Sequence, residues 1–264
     1  MNLEDICRKV CALVTDTGKF IQQESKKITA DKIEIKSHNS FVTYVDKTSE
    51  KNLVNGLSTI LPDSGFIAEE STEVKSKNQY RWVIDPLDGT TNYIHGLAPY
   101  SISVGLMEDN EVILGVILEV SANECFYAWK GSKAFLNGKE IRVTNVSSIE
   151  DALIATGFPY YDFTRMKPYL ESLDYFFVNS HGVRRLGSAA ADLAYVACGR
   201  FEAFYEYSLN PWDVAAGSFI VKQAGGKVTD FKGFNNYIFG KEIIASNNLI
   251  YPEFFSKVNN YLNK

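Results

Sequence analysis

Two aspartates, Asp85 and Asp88, have the types and the spacing most able to do chemistry in this chain. The apolar run Trp82–Ile84 before them predicts a buried strand, which delivers both carboxylates into a tight turn. Carboxylates three positions apart on such a bend can converge on one point. Their oxygens are the ligands that Mg²⁺ prefers in proteins, so the turn predicts a metal site.

The residues after Asp88 are suited to holding an anion. Gly89 allows close approach of the backbone, and Thr90 and Thr91 offer hydroxyl groups at a predicted helix start, where free N–H groups bind phosphate. Asp-Pro and Asp-Gly are also typical of ordinary surface turns. A calcium loop is a second alternative, but residues 85–90 lack its acidic spacing. The preferred interpretation is a metal-and-phosphate site.

Further acidic residues stand where other predicted elements begin or end. Glu69 and Glu70 follow a short predicted strand, and Asp46 closes another, where it could simply cap the next helix. Asp213 precedes a predicted helix over 214–224, and its alternative role is an N-cap that accepts from the N–H groups of that helix. Carboxylates at the ends of neighbouring strands share one edge of a sheet, which predicts that some of these groups meet.

Composition excludes several classes of protein. The 264 residues carry a net charge of −5, which argues against nucleic acid as the main ligand. Four cysteines without a C-x-x-C pair and three scattered histidines argue against a zinc site or a disulfide framework. The stretch 131–139 has the wrong spacing for a P-loop. With no apolar signal segment and no long apolar run, we expect a cytoplasmic protein without membrane spans.

The hydrophobic pattern predicts an α+β or α/β fold, with an antiparallel meander in the N-terminal half and alternating strand and helix in the C-terminal half. A lobe over 1–144 would carry most of the metal ligands, and a lobe over 145–264 would supply Asp213 and substrate contacts, the two packing as one compact unit. The Lys-rich stretch 26–40 predicts a mobile arm. Helices are predicted over 3–17, 53–61, 166–176, 188–198, 214–224 and 254–262. Strands are predicted over 66–68, 82–84, 101–107, 112–120, 125–129, 134–135, 153–156, 203–207, 227–229 and 243–245.

Three separated segments, 68–70, 82–92 and 211–217, resemble in order and spacing the motifs of the inositol monophosphatase family of Mg²⁺-dependent, lithium-sensitive sugar phosphatases. The resemblance covers nearly the whole chain. It implies a layered α-β-α-β-α sandwich, a homodimer, two to three Mg²⁺ ions for each active site, and a small phosphate monoester as substrate. The activity it implies is hydrolysis of inositol monophosphate by water that the metal ions activate, without a phosphoenzyme.

The resemblance also implies roles for particular residues. The implied metal ligands are Glu69, Asp85, the backbone carbonyl of Leu87, Asp88 and Asp213. Asp85 would bridge two ions, and a third, weaker ion would lie near Glu69 and a flap that carries Lys36. Glu69 and Thr90 would polarise the attacking water, Asp46 would form a hydrogen-bonded pair with Thr90, and Glu70 would support these groups from behind.

The substrate is less sharply indicated. The substrate contacts that the resemblance implies are Glu69, Leu87, Asp88, Gly89, Thr90, Ser188, Ala189, Ala190, Glu206 and Asp213. Ser188 could equally be a plain helix N-cap. Fructose 1,6-bisphosphate, NADP and 3′-phosphoadenosine 5′-phosphate are alternative substrates.

A hypothesis from another class is a regulatory protein that binds transcription machinery through Arg184 and Arg185. A two-metal nuclease would need a basic groove, and the acidic charge opposes it. The carboxylate set argues that a regulatory role would be additional to catalysis.

Overall fold

The computed structural model describes residues 1–27, 33–37, 40–70 and 78–263. The helices in this part are α1 Leu3–Glu24, α2 Tyr44–Ile60, α3 Thr90–Ile94, α4 Met166–Asn179, α5 Ala189–Ala197, α6 Pro211–Gln223 and α7 Tyr251–Leu262. The strands are β1 Ile33–Ser37, β2 Ser40–Thr43, β3 Gly65–Ala68, β4 Tyr80–Asp88, β5 Ser101–Glu108, β6 Glu111–Glu119, β7 Glu124–Trp129, β8 Ala134–Leu136, β9 Lys139–Ile141, β10 Leu153–Thr156, β11 Gly182–Arg184, β12 Ala203–Tyr207, β13 Lys227–Thr229 and β14 Glu242–Ser246.

The elements form five layers. Helices α1 and α2 pack on one face of a seven-stranded sheet of order β3-β4-β5-β6-β7-β8-β9. Helices α5 and α6 pack on its other face and also contact a five-stranded sheet of order β11-β10-β12-β14-β13. Helices α4 and α7 cover the far side of that second sheet. Each helix buries its apolar face against a sheet, and the expected α-β-α-β-α sandwich is confirmed.

Strand β4 explains how two carboxylates reach one edge of the large sheet. It pairs parallel to β3 and antiparallel to β5, and its register with β5 shifts between Asp85 and Asp88. The predicted tight turn after Ile84 is therefore wrong, because the strand continues through an irregularity to Asp88. Such an irregularity redirects side chains that strict alternation would point to opposite faces.

Most predicted elements are present, but α1 ends seven residues later than predicted and α2 begins nine residues earlier. The polar stretch 26–40 was expected to be an arm; its described part includes strand β1, paired antiparallel with β2. Asp46 was expected to close a strand, but it lies in the first turn of α2, three residues after the N-cap Thr43. Asp213 likewise lies three residues after the N-cap Asn210. None of the described helices is both long and apolar enough to cross a membrane.

Two glycines let α6 approach the large sheet closely. Gly105 of β5 and Gly115 of β6 are cross-strand partners beneath the helix. A Cβ at Gly115 would lie 2.6 Å from the carbonyl oxygen of Ala216, whereas a Cβ at Gly105 would meet the Cβ of Ala215 at 3.3 Å. Because Asp213 lies in the first turn of the same helix, this close packing also sets the position of its carboxylate.

We predict that Gly115→Ala lowers the free energy of unfolding by about 1–3 kcal/mol, because the new methyl group meets backbone that cannot move alone. Gly105→Ala is the matched control. Its cost is expected to be smaller, since the contact is looser and alanine also restricts the unfolded chain. Urea unfolding measures both variants. Equal losses in the two variants would contradict the proposed close contact at Gly115.

Candidate active site

One pocket opens where the end of β4, the start of α5 and the start of α6 meet. Of the residues singled out from the sequence, it is lined by Glu69, Asp85, Leu87, Asp88, Gly89, Thr90, Ser188, Ala189, Glu206 and Asp213. These residues come from segments more than a hundred positions apart. The structure therefore brings together the carboxylates of the three motif segments on which the sequence prediction depends.

Asp46 and Thr90 form the expected pair. The Thr90 hydroxyl lies 2.9 Å from Asp46 Oδ1 and 3.0 Å from the carbonyl oxygen of Leu87. Asp46 Oδ2 accepts from the backbone N–H of Thr43 at 2.8 Å and from its hydroxyl at 2.7 Å. A hydroxyl has one proton, so when Thr90 donates to Asp46 the Leu87 carbonyl is left to bind another group.

The side chains of Asp85 and Asp213 each accept a hydrogen bond from a backbone N–H group nearby in sequence. The N–H of Leu87 donates to Asp85 Oδ1 at 3.0 Å, and the N–H of Asn210 donates to Asp213 Oδ2 at 2.7 Å. The predicted N-cap role of Asp213 is thus wrong, since it forms the reciprocal half of a capping box. The two carboxyl groups also lie near each other, so that the charge of Asp213 helps to raise the pKa of Asp85. One backbone bond each leaves further oxygen lone pairs for a ligand.

Asp88 is fixed by the start of α5. Its Oδ2 accepts from the Ser188 hydroxyl and from the N–H of Ala190, both at 2.7 Å. Ser188 is also the N-cap of α5 and accepts from the N–H of Ala191 at 3.2 Å. The N-cap alternative for Ser188 is therefore present in the structure. Fully buried Ala190 supports Asp88, while Ala189 lines the pocket.

The carboxyl groups of the pocket hold their protons more tightly than ordinary acids do. Burial, reinforced by repulsion from Glu69, Asp88 and Asp213, raises the pKa of Asp85 well above its usual value. Burial also raises the pKa of Asp88 to about 6, although hydrogen bonds from Ser188 and Ala190 oppose the change. Burial and the charge of Asp88 raise the pKa of Asp213. A cation among these groups would favour their ionised forms.

The donor set fits a hard divalent cation. Among the described residues, no group of three or more histidine, cysteine, aspartate or glutamate side chains is arranged to hold a metal ion as it stands. Glu69, Asp85, Asp88 and Asp213 nevertheless line one pocket with the Leu87 carbonyl, and all offer oxygen. Oxygen ligands with partial hydration are what Mg²⁺ takes, so small side-chain adjustments and water would complete its coordination.

Two expected residues stand apart from this group. Glu70 does not line the pocket; its N–H donates to Glu50 Oε2 at 2.8 Å, which secures the loop that carries Glu69. The backbone of Lys36 lies in β1, but its side chain falls outside the described residues. Its predicted place in a flap near a third ion stays a prediction.

Arg185 and Asp192 also line the pocket but were not assigned to it from the sequence. Arg185 donates to the hydroxyl of Tyr160 at 2.5 Å and lies over the ring of Phe158. Asp192 follows Ser188 by four positions, one helical turn. That spacing was the available signal, since residues four apart share a helix face. Arg184 is exposed whereas Arg185 lines the pocket, so the two do not form one surface patch.

Glu206 occupies a place that only a glycine leaves open. Its carboxylate lies within about 2.1 Å of where a Cβ on Gly157 would stand. The group is buried, and burial together with the charges of Asp213 and Asp88 raises its pKa well above the usual value. Glu206 therefore adds a buried carboxyl group to the lining of the pocket, near Asp213 and Asp88.

Known proteins match this chain along nearly its whole length. The model of the inositol monophosphatase family matches residues 2–263. A Thermotoga maritima protein named fructose-1,6-bisphosphatase/inositol-1-monophosphatase is 41% identical over 230 residues, which cover 87% of each chain. The Escherichia coli K12 protein named Nus factor SuhB is 39% identical over 222 residues, which cover 83% of each chain.

Solved structures give the same result for the fold. The extragenic suppressor protein SuhB from Bartonella henselae superposes with a TM-score of 0.91 at 35% identity, over 98% of both chains. An inositol monophosphatase structure from Thermotoga maritima superposes with a TM-score of 0.88 at 36% identity, over 100% of this chain and 99% of the other.

We predict that magnesium stabilises this protein by relieving the crowding of its carboxylates. At a hundredfold excess over the dissociation constant, binding adds about 2.7 kcal/mol, which raises the thermal midpoint by roughly 5–10 °C. The Asp85→Asn variant should gain much less, while Glu119→Gln, a change at a buried carboxylate at the end of β6 that does not line the pocket, should gain as much as the wild type. Differential scanning fluorimetry with MgCl₂ or EDTA measures the shifts.

The Asp85→Asn variant also tests directly the repulsion among the pocket carboxylates. A carboxyl whose folded-state pKa is raised destabilises the fold above its unfolded-state pKa of about 3.8, so at pH 7.5 in EDTA Asp85→Asn should melt above the wild type. A lower midpoint in EDTA, or an undiminished gain with magnesium, would contradict the crowding argument.

Proposed function

Because this chain belongs to the inositol monophosphatase family, we propose that its pocket hydrolyses the phosphate monoester of a polyol, inositol monophosphate, with Mg²⁺ as the metal. The family and the names of its relatives support the coarser class, a phosphatase. The observation that carries the finer proposal is the shared pocket, in which four carboxylates face hydroxyl and backbone donors.

The carboxylates Glu69, Asp85, Asp88 and Asp213, with the Leu87 carbonyl, would hold the magnesium. Bound divalent ions would supply charge neutralisation for the phosphoryl group and for the departing alkoxide. Phosphate monoesters hydrolyse so slowly in water that positioning alone, which contributes about 7–11 kcal/mol, is insufficient. The side chains of the pocket are mainly acidic, so they can bind the cations that would supply this positive charge.

The protein groups orient the reactants. Thr90, while it donates to Asp46, keeps lone pairs that can accept a hydrogen bond from the attacking water, and Glu69 can accept a second hydrogen bond from it. Gly89, the N-cap of α3, lines the pocket, and the backbone N–H groups at this helix start would bind the phosphate. Asp213, which lines the same pocket, would stand beside the leaving group. Attack in line with that group needs no covalent intermediate on the enzyme.

The alternative substrates differ in the organic group to which the phosphate is attached. A relative that is 41% identical carries both fructose-1,6-bisphosphatase and inositol-1-monophosphatase in its name, so fructose 1,6-bisphosphate remains an alternative on the same site. NADP and 3′-phosphoadenosine 5′-phosphate would bring an adenosine group. The homodimer that the resemblance implies stays a prediction.

The decisive test is phosphate release from inositol 1-phosphate, fructose 1,6-bisphosphate, NADP and 3′-phosphoadenosine 5′-phosphate, with and without Mg²⁺ and Li⁺. We expect inositol 1-phosphate to give the highest kcat/KM, activity to require Mg²⁺, and Li⁺ to inhibit. Asp85→Asn should lower kcat on the order of 10³-fold, whereas Glu119→Gln should not. A flat zero across the panel from folded, Mg²⁺-binding protein would reject the proposal.

A second candidate function is a regulatory association with transcription machinery. It is favoured by relatives from Escherichia coli and Pseudomonas aeruginosa that are named Nus factor SuhB. In this chain Arg184 is exposed and could contact such a partner, whereas Arg185 is engaged in the pocket. Because the two functions would use different residues, they can coexist on one molecule.

We predict that the two functions separate by mutation. Asp85→Asn should lose phosphatase activity and keep any binding to purified transcription complexes, whereas Arg184→Ala should weaken that binding and keep the activity. Biolayer interferometry beside the phosphate-release assay measures both. Absence of binding by the wild type would reject the second candidate and leave the first intact.

A further inference from the structure

Asp192 is a buried carboxylate that the proposed hydrolysis leaves without a role. It lies in the first turn of α5, lines the pocket and is only 1% exposed. Its Oδ1 has no hydrogen-bond partner in the described part of the chain. Leaving a buried carboxylate oxygen unpaired is costly, so a ligand that donates a hydrogen bond to this group would be favoured.

The neighbours of Asp192 define the chemistry of that ligand. Glu206 lies close enough for its charge to be felt, and burial together with the charges of Glu206 and Asp88 raises the pKa of Asp192. Arg185 is the nearby cation; its described hydrogen bond goes to Tyr160, and its Nε has no partner among the described groups. This wall of the pocket therefore offers two carboxylate acceptors and one guanidinium donor.

Such a wall suits a ring that carries several hydroxyl groups. Each hydroxyl can donate to a carboxylate and accept from a guanidinium, so one polyol can satisfy both kinds of group. A second phosphate at this position is mainly a hydrogen-bond acceptor and would leave the carboxylate oxygens of Asp192 and Glu206 without a donor. An apolar ring would leave Asp192 Oδ1 unpaired, as it is without ligand.

We propose that Asp192 is a specificity-determining residue that accepts a hydrogen bond from a hydroxyl of the leaving group. This inference rests on the proposed phosphatase function and adds to it the recognition of a neutral polyol. A purely structural alternative is that the carboxylate stabilises the N-terminal turn of α5 through the helix dipole. The alternative predicts an effect on stability that is the same for every substrate.

The test compares two substrates in the full-length Mg²⁺-loaded protein. Inositol 1-phosphate has a hydroxylated ring, and 4-nitrophenyl phosphate has a ring without hydroxyls and a good leaving group. We expect Asp192→Asn to lower the ratio of their kcat/KM values about tenfold, mainly through a higher KM for inositol 1-phosphate, because the amide oxygen of asparagine accepts a hydrogen bond more weakly than a carboxylate does. Glu119→Gln, a matched change from carboxylate to amide, should leave the ratio at the wild-type value.

The outcomes separate the two proposals. If the wild type hydrolyses neither substrate, the proposed function fails. If it hydrolyses both and Asp192→Asn keeps the wild-type ratio, or lowers both activities equally, the role of Asp192 is overturned while the phosphatase function stands. Thermal unfolding verifies that the variant is folded; if it is not, Asp192→Ser, which also removes the charge, is measured in the same way.

Discussion

The mutual repulsion of buried carboxylates is the constraint on which the rest of this structure depends. Asp85, only 2% exposed, shares a pocket with Glu69, Asp88 and Asp213, and their charges raise its pKa further than burial alone would. The fold opposes this repulsion with hydrogen-bond donors from the backbone of β4 and from the first turns of α5 and α6. A divalent cation would neutralise the remaining negative charge. The crowded carboxylates therefore suit the pocket to bind magnesium and, through the magnesium, phosphate.

The scaffold around the pocket repeats one local device at two helix starts. Asp46 in α2 and Asp213 in α6 both lie three residues after the N-cap and accept from the backbone N–H of that residue. The capping box fixes the side chain and places it at the positive end of the helix, where an anion is stabilised. Close packing of α6 on Gly105 and Gly115 then brings Asp213 to the end of β4. The capping box and the close packing of α6 together position the Asp213 carboxylate.

The two walls of the pocket have different characters. The β4 wall carries carboxylates held by backbone donors, which suits a metal. On the other wall, the Glu206 carboxylate lies against Gly157, and Asp192 and Arg185 lie near it. These groups would form hydrogen bonds with the rest of the substrate. Relatives with different names share this fold, which agrees with the general rule that a fold carries several functions and that the site residues decide among them.

The sequence by itself determined the order and type of most elements and the identity of the acidic residues, because hydrophobic periodicity and the Asp85–Asp88 motif are local signals. It did not determine the irregular end of β4, the first-turn positions of Asp46 and Asp213, or the places of Arg185 and Asp192 in the pocket. The capping boxes that place Asp46 and Asp213 are short and local, but the hydrophobic pattern does not show them. The irregular end of β4 depends on its pairing with β5, and the places of Arg185 and Asp192 depend on packing between segments far apart in sequence, whose energies are not written in local spacing. Only the tertiary structure decided these last two features.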